Sequence, residues 1–185
     1  MTIDVGAGDG RAVLATAAAE PTSLVIGLDA NAASMAESSR RAARRGAPNV
    51  LFAVAAAEAS PPELARVAGR VTVHFPWGSL LRGCLGLDDP VAAGIAGLVA
   101  ASGELELLLA PSARDRLADL PIAPTALVAA VSTTFARLGF TLIEGRHASA
   151  AEIAASRSTW AKRLLRGGSN ADRPVTLVRL RSSPR

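Results

Sequence analysis

The chain has no tyrosine, one cysteine, one lysine and two histidines. A single cysteine, Cys84, rules out an internal disulfide and suits a reducing, cytoplasmic setting. His74, His147 and Cys84 give no metal-ligand spacing, so no metal is expected. There is no apolar run long enough to span a bilayer and no charged-then-apolar leader, so no membrane partner is expected. Aromatics make up only 3% of the residues, and two of them are tryptophans. Acidic residues, at 16, fall short of the 20 basic ones, leaving a net charge of +4 and a pI near 10.8. Nearly all of that positive charge is arginine. A GC-rich coding bias, which also inflates alanine, gives this composition, and so does a polyanionic partner. Composition does not separate the two; clustering does.

What is present is an alternation of apolar strand-like runs with helical patterns. TIDV (2–5) precedes a glycine loop and a helix over 11–19, and SLVIGLDA (23–30) precedes a helix capped by Asn31 and ended by Gly46. NVLFAVA (49–55) leads through Pro61-Pro62 to a short helix over 63–67, and RVTVHF (70–75) is the fourth strand. A helix from Asp88 to about Ala101 is followed by the strand ELELLLA (104–110), then a helix from Thr125 to Leu138 stopped by Gly139. FTLIEGRHA (140–148) and PVTLVRLR (174–181) close the series as an antiparallel pair. This order predicts an α/β fold: a Rossmann-like, doubly wound, mostly parallel seven-stranded sheet with an antiparallel last strand. Residues 1–185 read as one domain, with 149–173 an insertion between the last two strands.

DVGAGDGR (4–11) lies where the first strand meets the first helix. Gly6, Gly8 and Gly10 let the backbone turn sharply and approach a ligand closely. Asp29 ends the second strand 23 residues beyond Gly6, in place to accept hydrogen bonds from ribose hydroxyls. The pattern is G-x-G-x-G, unlike the G-x-G-x-x-G of dinucleotide enzymes. Asp4 ahead of it would repel a pyrophosphate but suits a cationic amino group. The combination resembles the class I S-adenosylmethionine-dependent methyltransferases, whose cofactor carries an amine, a sulfonium and a ribose. In such enzymes the positions of Ala57 and Glu58, beyond the third strand, hold the adenine of the cofactor.

FPWGSLLRG (75–83) puts Trp77 after the fourth strand, and STWAKRL (158–164) puts Trp160 in the insertion. Two indoles on one rim can sandwich a planar base. These two stretches resemble the aminoglycoside-resistance 16S rRNA adenine-N1 methyltransferases of the kanamycin–apramycin type, and the likeness runs over nearly the whole chain. The resemblance implies that Trp77 and Trp160 stack on the target adenine of the decoding site, adenine 1408. It also implies that Pro76, Ser79 and Ser158 line the cofactor, S-adenosyl-L-methionine. Arg40, Arg41, Arg44 and Arg45 form one stripe on a helix; four like charges side by side repel one another and point to a role beyond stability, while a solvated face whose cations suit the helix C-terminus is the other reading. In the family a basic cluster here docks on the rRNA of the 30S subunit, with Arg82, Lys162, Arg163 and Arg166 adding phosphate contacts. Family members usually carry an extension with a small hairpin ahead of the first strand; this sequence opens at MTIDVG, inside that strand.

The expected activity is methyl transfer to N1 of that adenine by a cytoplasmic monomer acting on the assembled 30S subunit, conferring aminoglycoside resistance. Two alternatives use the same residues: a homologue that binds the cofactor and docks on rRNA without methylating it, or a methyltransferase of another RNA adenine.

Overall fold

The computed structural model describes residues 1–111, 123–165 and 174–184. The strands are β1 (Thr2–Val5), β2 (Val25–Asp29), β3 (Val50–Val54), β4 (Ala68–His74), β5 (Val99–Leu109), β6 (Phe140–His147) and β7 (Thr176–Ser182). The helices are α1 (Arg11–Ala19), α2 (Ala32–Arg45), α3 (Gly78–Cys84), α4 (Asp89–Leu98), α5 (Pro124–Ala136), α6 (Ala150–Ala155) and α7 (Thr159–Leu165). The strands form one sheet in the order β3-β2-β1-β4-β5-β7-β6. β7 runs antiparallel to both of its neighbours, while the pairs from β3 across to β5 are parallel.

Strand alternation sends successive side chains to opposite faces of this sheet. Ile3 and Val5, Ile26 and Leu28, and Leu105 and Leu107 pack in one large core with Leu81 of α3, Ile95 and Leu98 of α4, and Leu127, Val131 and Phe135 of α5. The opposite face is covered in two patches. Val25 and Val50 meet Val13, Ala17 and Met35 from α1 and α2, and Leu108 and Leu177 meet Leu164 of α7. Between these patches a row of polar residues crosses five strands in register: Asp4 beside Thr72, Thr72 beside Glu106, Glu106 beside Arg179, and Arg179 beside Glu144. Their side chains bond in two groups, with Thr72 donating to Asp4 at 2.7 Å and Arg179 donating to Glu106 at 3.0 Å and Glu144 at 2.8 Å. Arg146 continues the chain from Glu144 to Glu152 of α6.

α2 has the expected ends: the Asn31 side chain accepts from Ala33 and Ser34, and Gly46 closes it in the left-handed conformation. Several details differ from expectation, including two short helices, α6 and α7, inside the insertion. The helix over 63–67 is only a 3-10 turn at Pro62–Leu64, because Ala68 is fully buried and already begins β4. α4 stops at Leu98, since Val99 pairs with Ala68 and joins the sheet. α3 was not anticipated at all: seven residues beginning at a glycine carry too little periodicity to be seen.

Candidate active site

The carboxyl ends of β1, β2 and β4, the 3-10 turn at Ala57–Ala59 and the start of α7 enclose one cleft of about 630 Å³. That size suits a small-molecule site. Asp4, Gly6, Gly8, Asp29, Ala57, Glu58, Pro76, Trp77, Ser79, Ser158, Trp160 and Arg163 all line it. The other basic candidates lie elsewhere. Arg40, Arg41, Arg44 and Arg45 are exposed on α2, Lys162 is exposed on α7, and Arg82 donates to the Leu87 carbonyl at 3.2 Å. Arg166 lies outside the described residues.

The floor is built by the glycine loop. Gly6 and Ala7 donate to the Leu28 carbonyl at 2.8 and 3.1 Å, tying the loop to the end of β2. Gly6 has φ +76°, and a Cβ there would come within 2.6 Å of Leu80 Cδ2. Gly8 also has a positive φ, +56°, but a Cβ there would meet nothing nearer than 3.9 Å. Its bare backbone therefore faces open space, as a ligand cradle needs. Asp29 braces this loop, with one carboxylate oxygen accepting from Gly8 N at 2.8 Å and the other from Asn31 N at 2.8 Å. A carboxylate has about four acceptor directions, so two remain for ligand hydroxyls.

Asp4 sits at the end of β1 with Thr72 donating to it. Burial pushes its carboxyl above the ordinary range, while the His74 ring, the Thr72 hydroxyl and Arg70 pull it back and Asp29 adds repulsion. A cationic ligand group there would relieve that strain on the charged form. The residues thus match the donors and acceptors of S-adenosylmethionine: a carboxylate for an amine, another for a ribose, a bare glycine backbone, and the turn carrying Ala57 and Glu58. That turn is pressed against Gly94 of α4, where a Cβ would lie 2.2 Å from the Ala57 carbonyl oxygen.

The two tryptophans differ in their support. Trp77 is 80% exposed, far from any core role, and stands at the mouth of the cleft. Trp160 is half-buried and stacks on Phe75, with ring centroids 5.0 Å apart and planes 26° from parallel. Phe75 itself has a positive φ of 54°, unusual for a residue with a Cβ. Ser158, besides lining the cleft, accepts from Ala161 N at 2.9 Å and so caps α7.

Sequence reasoning missed Phe75, His74, Asp9 and Thr159, all of which line the cleft. His74 bonds Glu106 at 3.1 Å. It follows Thr72 by two residues on β4, so strand alternation puts it on the face that carries Asp4. The arginine stripe is divided by an acidic neighbour. Arg40 and Arg44 are drawn onto Glu37, at 3.1 and 3.0 Å, whereas Arg41 and Arg45 make no ion pair among the described residues. The hydrogen bond from Arg44, then that from Arg40, holds the Glu37 carboxyl below its ordinary value.

A family model described as NpmA, 16S rRNA (adenine(1408)-N(1))-methyltransferase, matches residues 1–179. The 16S rRNA (adenine(1408)-N(1))-methyltransferase of Streptoalloteichus hindustanus is 31% identical over 173 residues, which span 89% of this chain and 80% of that one. The crystal structure of the 16S rRNA methyltransferase KamB superposes with a TM-score of 0.85 at 30% identity, covering 99% of this chain and 87% of that one. A variant of the enzyme from Catenulisporales acidiphilia, crystallised with cosubstrate SAM, gives 0.84 at 29% identity, over 98% and 85% of the two chains. With the family model matching residues 1–179 and a relative 31% identical over 89% of its length, the chain belongs to the 16S rRNA (adenine(1408)-N(1))-methyltransferase family.

Proposed function

We propose that this protein transfers a methyl group from S-adenosyl-L-methionine to N1 of adenine 1408 in 16S rRNA. It acts as a cytoplasmic monomer on the assembled 30S subunit and confers resistance to aminoglycosides. The observation that carries this is the meeting, in one cleft, of an Asp4/Asp29 glycine-loop floor with both of the chain's tryptophans at its rim.

The cofactor, when bound, supplies an electrophilic methyl group. Asp4 holds its amino group, Asp29 its ribose hydroxyls, and the turn at Ala57 and Glu58 its adenine. Pro76, Ser79 and Ser158 line the methionine end. The target adenine N1 has an in-plane lone pair at neutral pH, so no side chain has to remove a proton to make the nucleophile. The task left to the protein is placement, which is worth ~7–11 kcal/mol in favourable cases. Trp160, backed by Phe75, offers a fixed indole face, and the exposed Trp77 closes over the other side of the base. Methylation leaves the ring cationic, and each indole face favours a cation by about 0.5–2 kcal/mol.

Docking falls to the basic surface. Arg41 and Arg45 contact phosphates directly; Arg40 and Arg44 exchange Glu37 for phosphate. Arg82, Lys162, Arg163 and Arg166 add phosphate contacts. The N1 methyl blocks the Watson–Crick edge, removing an acceptor and placing positive charge before a cationic drug.

The test is to methylate purified small subunits with labelled cofactor and map the product by reverse transcription. A stop at adenine 1408, with raised resistance to kanamycin and apramycin in an expressing bacterium, is expected. Label that maps to another nucleotide would overturn the assignment.

A further inference from the structure

The segment that carries Trp160 is held at the cofactor floor by its own side chains. Thr159 Oγ1 donates to Asp9 Oδ2 at 2.6 Å, joining residues 150 positions apart. That length is typical of a strong hydroxyl-to-carboxylate bond. Two residues earlier, Arg157 has a positive φ of 55° and donates to the Ala15 carbonyl of α1 at 2.6 Å. Asp9 is itself fixed between Gly8 and Gly10. Its other carboxylate oxygen accepts from Arg11 N at 3.1 Å, and its carbonyl accepts from Ser38 Oγ at 2.6 Å. The loop that cradles the cofactor and the residue next to the clamping indole therefore share one hydrogen bond.

We infer that Asp9 and Thr159 are positioning residues that couple the two halves of the site, so that ordering the glycine loop around the cofactor also sets Trp160 for the base. The inference rests on the function proposed above. A purely structural role for Thr159 is the weaker account, because α7 has its own packing: Ala161 and Leu164 are buried, and Leu164 sits against Leu108 and Val175. Removing one hydroxyl leaves that packing in place. By linkage, if cofactor favours the Trp160 arrangement that grips the subunit, it tightens subunit binding, and the subunit tightens cofactor by the same factor.

The chain's lack of tyrosine makes a direct test available. In a Trp77→Phe background Trp160 is the sole tryptophan, and its emission reports on α7. Titration with S-adenosylhomocysteine is expected to change that emission in the Trp77→Phe protein and in Trp77→Phe/Thr159→Ser, which keeps a hydroxyl. Trp77→Phe/Thr159→Val is expected to bind the ligand by calorimetry without the emission change. With Trp77 intact, the ligand should tighten 30S binding about tenfold, within the usual range of allosteric coupling. In Thr159→Val that gain should fall below twofold, with thermal unfolding little changed. Equal emission responses and equal coupling in the valine and parent proteins would overturn the inference. If the parent binds no S-adenosylhomocysteine or S-adenosylmethionine by calorimetry, the cofactor assignment fails first and the coupling with it.

Discussion

Replacing Gly94 with alanine sets two magnitudes against each other. Gly94 lies inside α4, where alanine is favoured over glycine by about 1 kcal/mol in an unhindered helix. Yet its Cβ would stand 2.2 Å from the Ala57 oxygen, 2.5 Å from the Ala57 carbon and 2.8 Å from Glu58 N. All three are backbone atoms, so no side chain can swing away, and helix or turn must shift by about an ångström to restore van der Waals contact. Overpacking of this kind costs about 1–3 kcal/mol, which offsets or exceeds the helical gain. A net loss of about 1 kcal/mol lowers Tm by about 2–4 °C in a chain of this length. The turn that moves carries Ala57 and Glu58, so cofactor affinity should fall as well. Gly97→Ala is the control: same helix, with nothing within 4 Å of its Cβ. It should be neutral or stabilising, with cofactor affinity unchanged. The assays are thermal unfolding and calorimetric titration with S-adenosylmethionine. If Gly94→Ala is more stable than the parent and binds the cofactor equally well, the close approach is not what fixes this turn.

Trp77→Ala and Trp160→Ala are each expected to remove most methyl transfer while largely sparing 30S binding by the cofactor-free protein, Trp160→Ala also losing the gain in 30S binding that the cofactor brings; a variant with parental turnover would exclude its indole from the clamp. Arg41→Glu/Arg45→Glu should weaken 30S binding and reduce the slope of log affinity against log salt by about one per lost phosphate contact, with cofactor affinity intact. Glu37→Gln, which releases Arg40 and Arg44, should do the opposite, and an unchanged salt slope in both would exclude this surface. Burial alone would raise the Glu106 carboxyl, but bonds from His74 and Arg179 outweigh it and bring it down to about 2 from 4.5. A folded value below the unfolded one means stability that is complete above about pH 4.5 and is lost as pH falls toward 2. Glu106→Gln should remove at most about 3 kcal/mol of it, seen as urea midpoints that converge with the parent's between pH 4.5 and 2. Parallel curves would contradict this.

The succession of strands was legible because each reads as an apolar run bounded by turn residues, and α2 was legible because Asn31 and Gly46 punctuate it as capping chemistry requires. The end of α4 was not. Val99-Ala100-Ala101 continues a helical composition, and only pairing with Ala68 draws it into β5. In the cleft, Asp4, Gly8 and Asp29 could be named because strand ends are where ligand chemistry gathers. The pairing of Glu37 with Arg40 is readable from the sequence, at i,i+3 on one helix. Asp9 and Thr159 could not be paired in advance. No local pattern joins residues 150 apart, and a threonine beside a tryptophan carries no signal until the insertion folds back on α1.

The polar row across the sheet bears on how the last strand finds its place. β7 must enter antiparallel between β5 and β6, and on the large-core face its Val178 and Leu180 meet Leu107 and Leu105. A slip of one residue would turn that face inside out, but a slip of two would keep it inward and still set Leu180 against Leu107 one way or Val178 against Leu105 the other. Hydrophobic matching therefore only partly distinguishes the native alignment from its two-residue neighbours. The other face does. Sliding one way brings Arg179 opposite buried Leu108; sliding the other way brings Leu177 opposite Glu106 and leaves that carboxylate without its guanidinium. Either error leaves a partly buried charge without its native partner, which disfavours the slipped register. Arg179 thus acts as a key for threading, rejecting misaligned insertions that oil alone would accept.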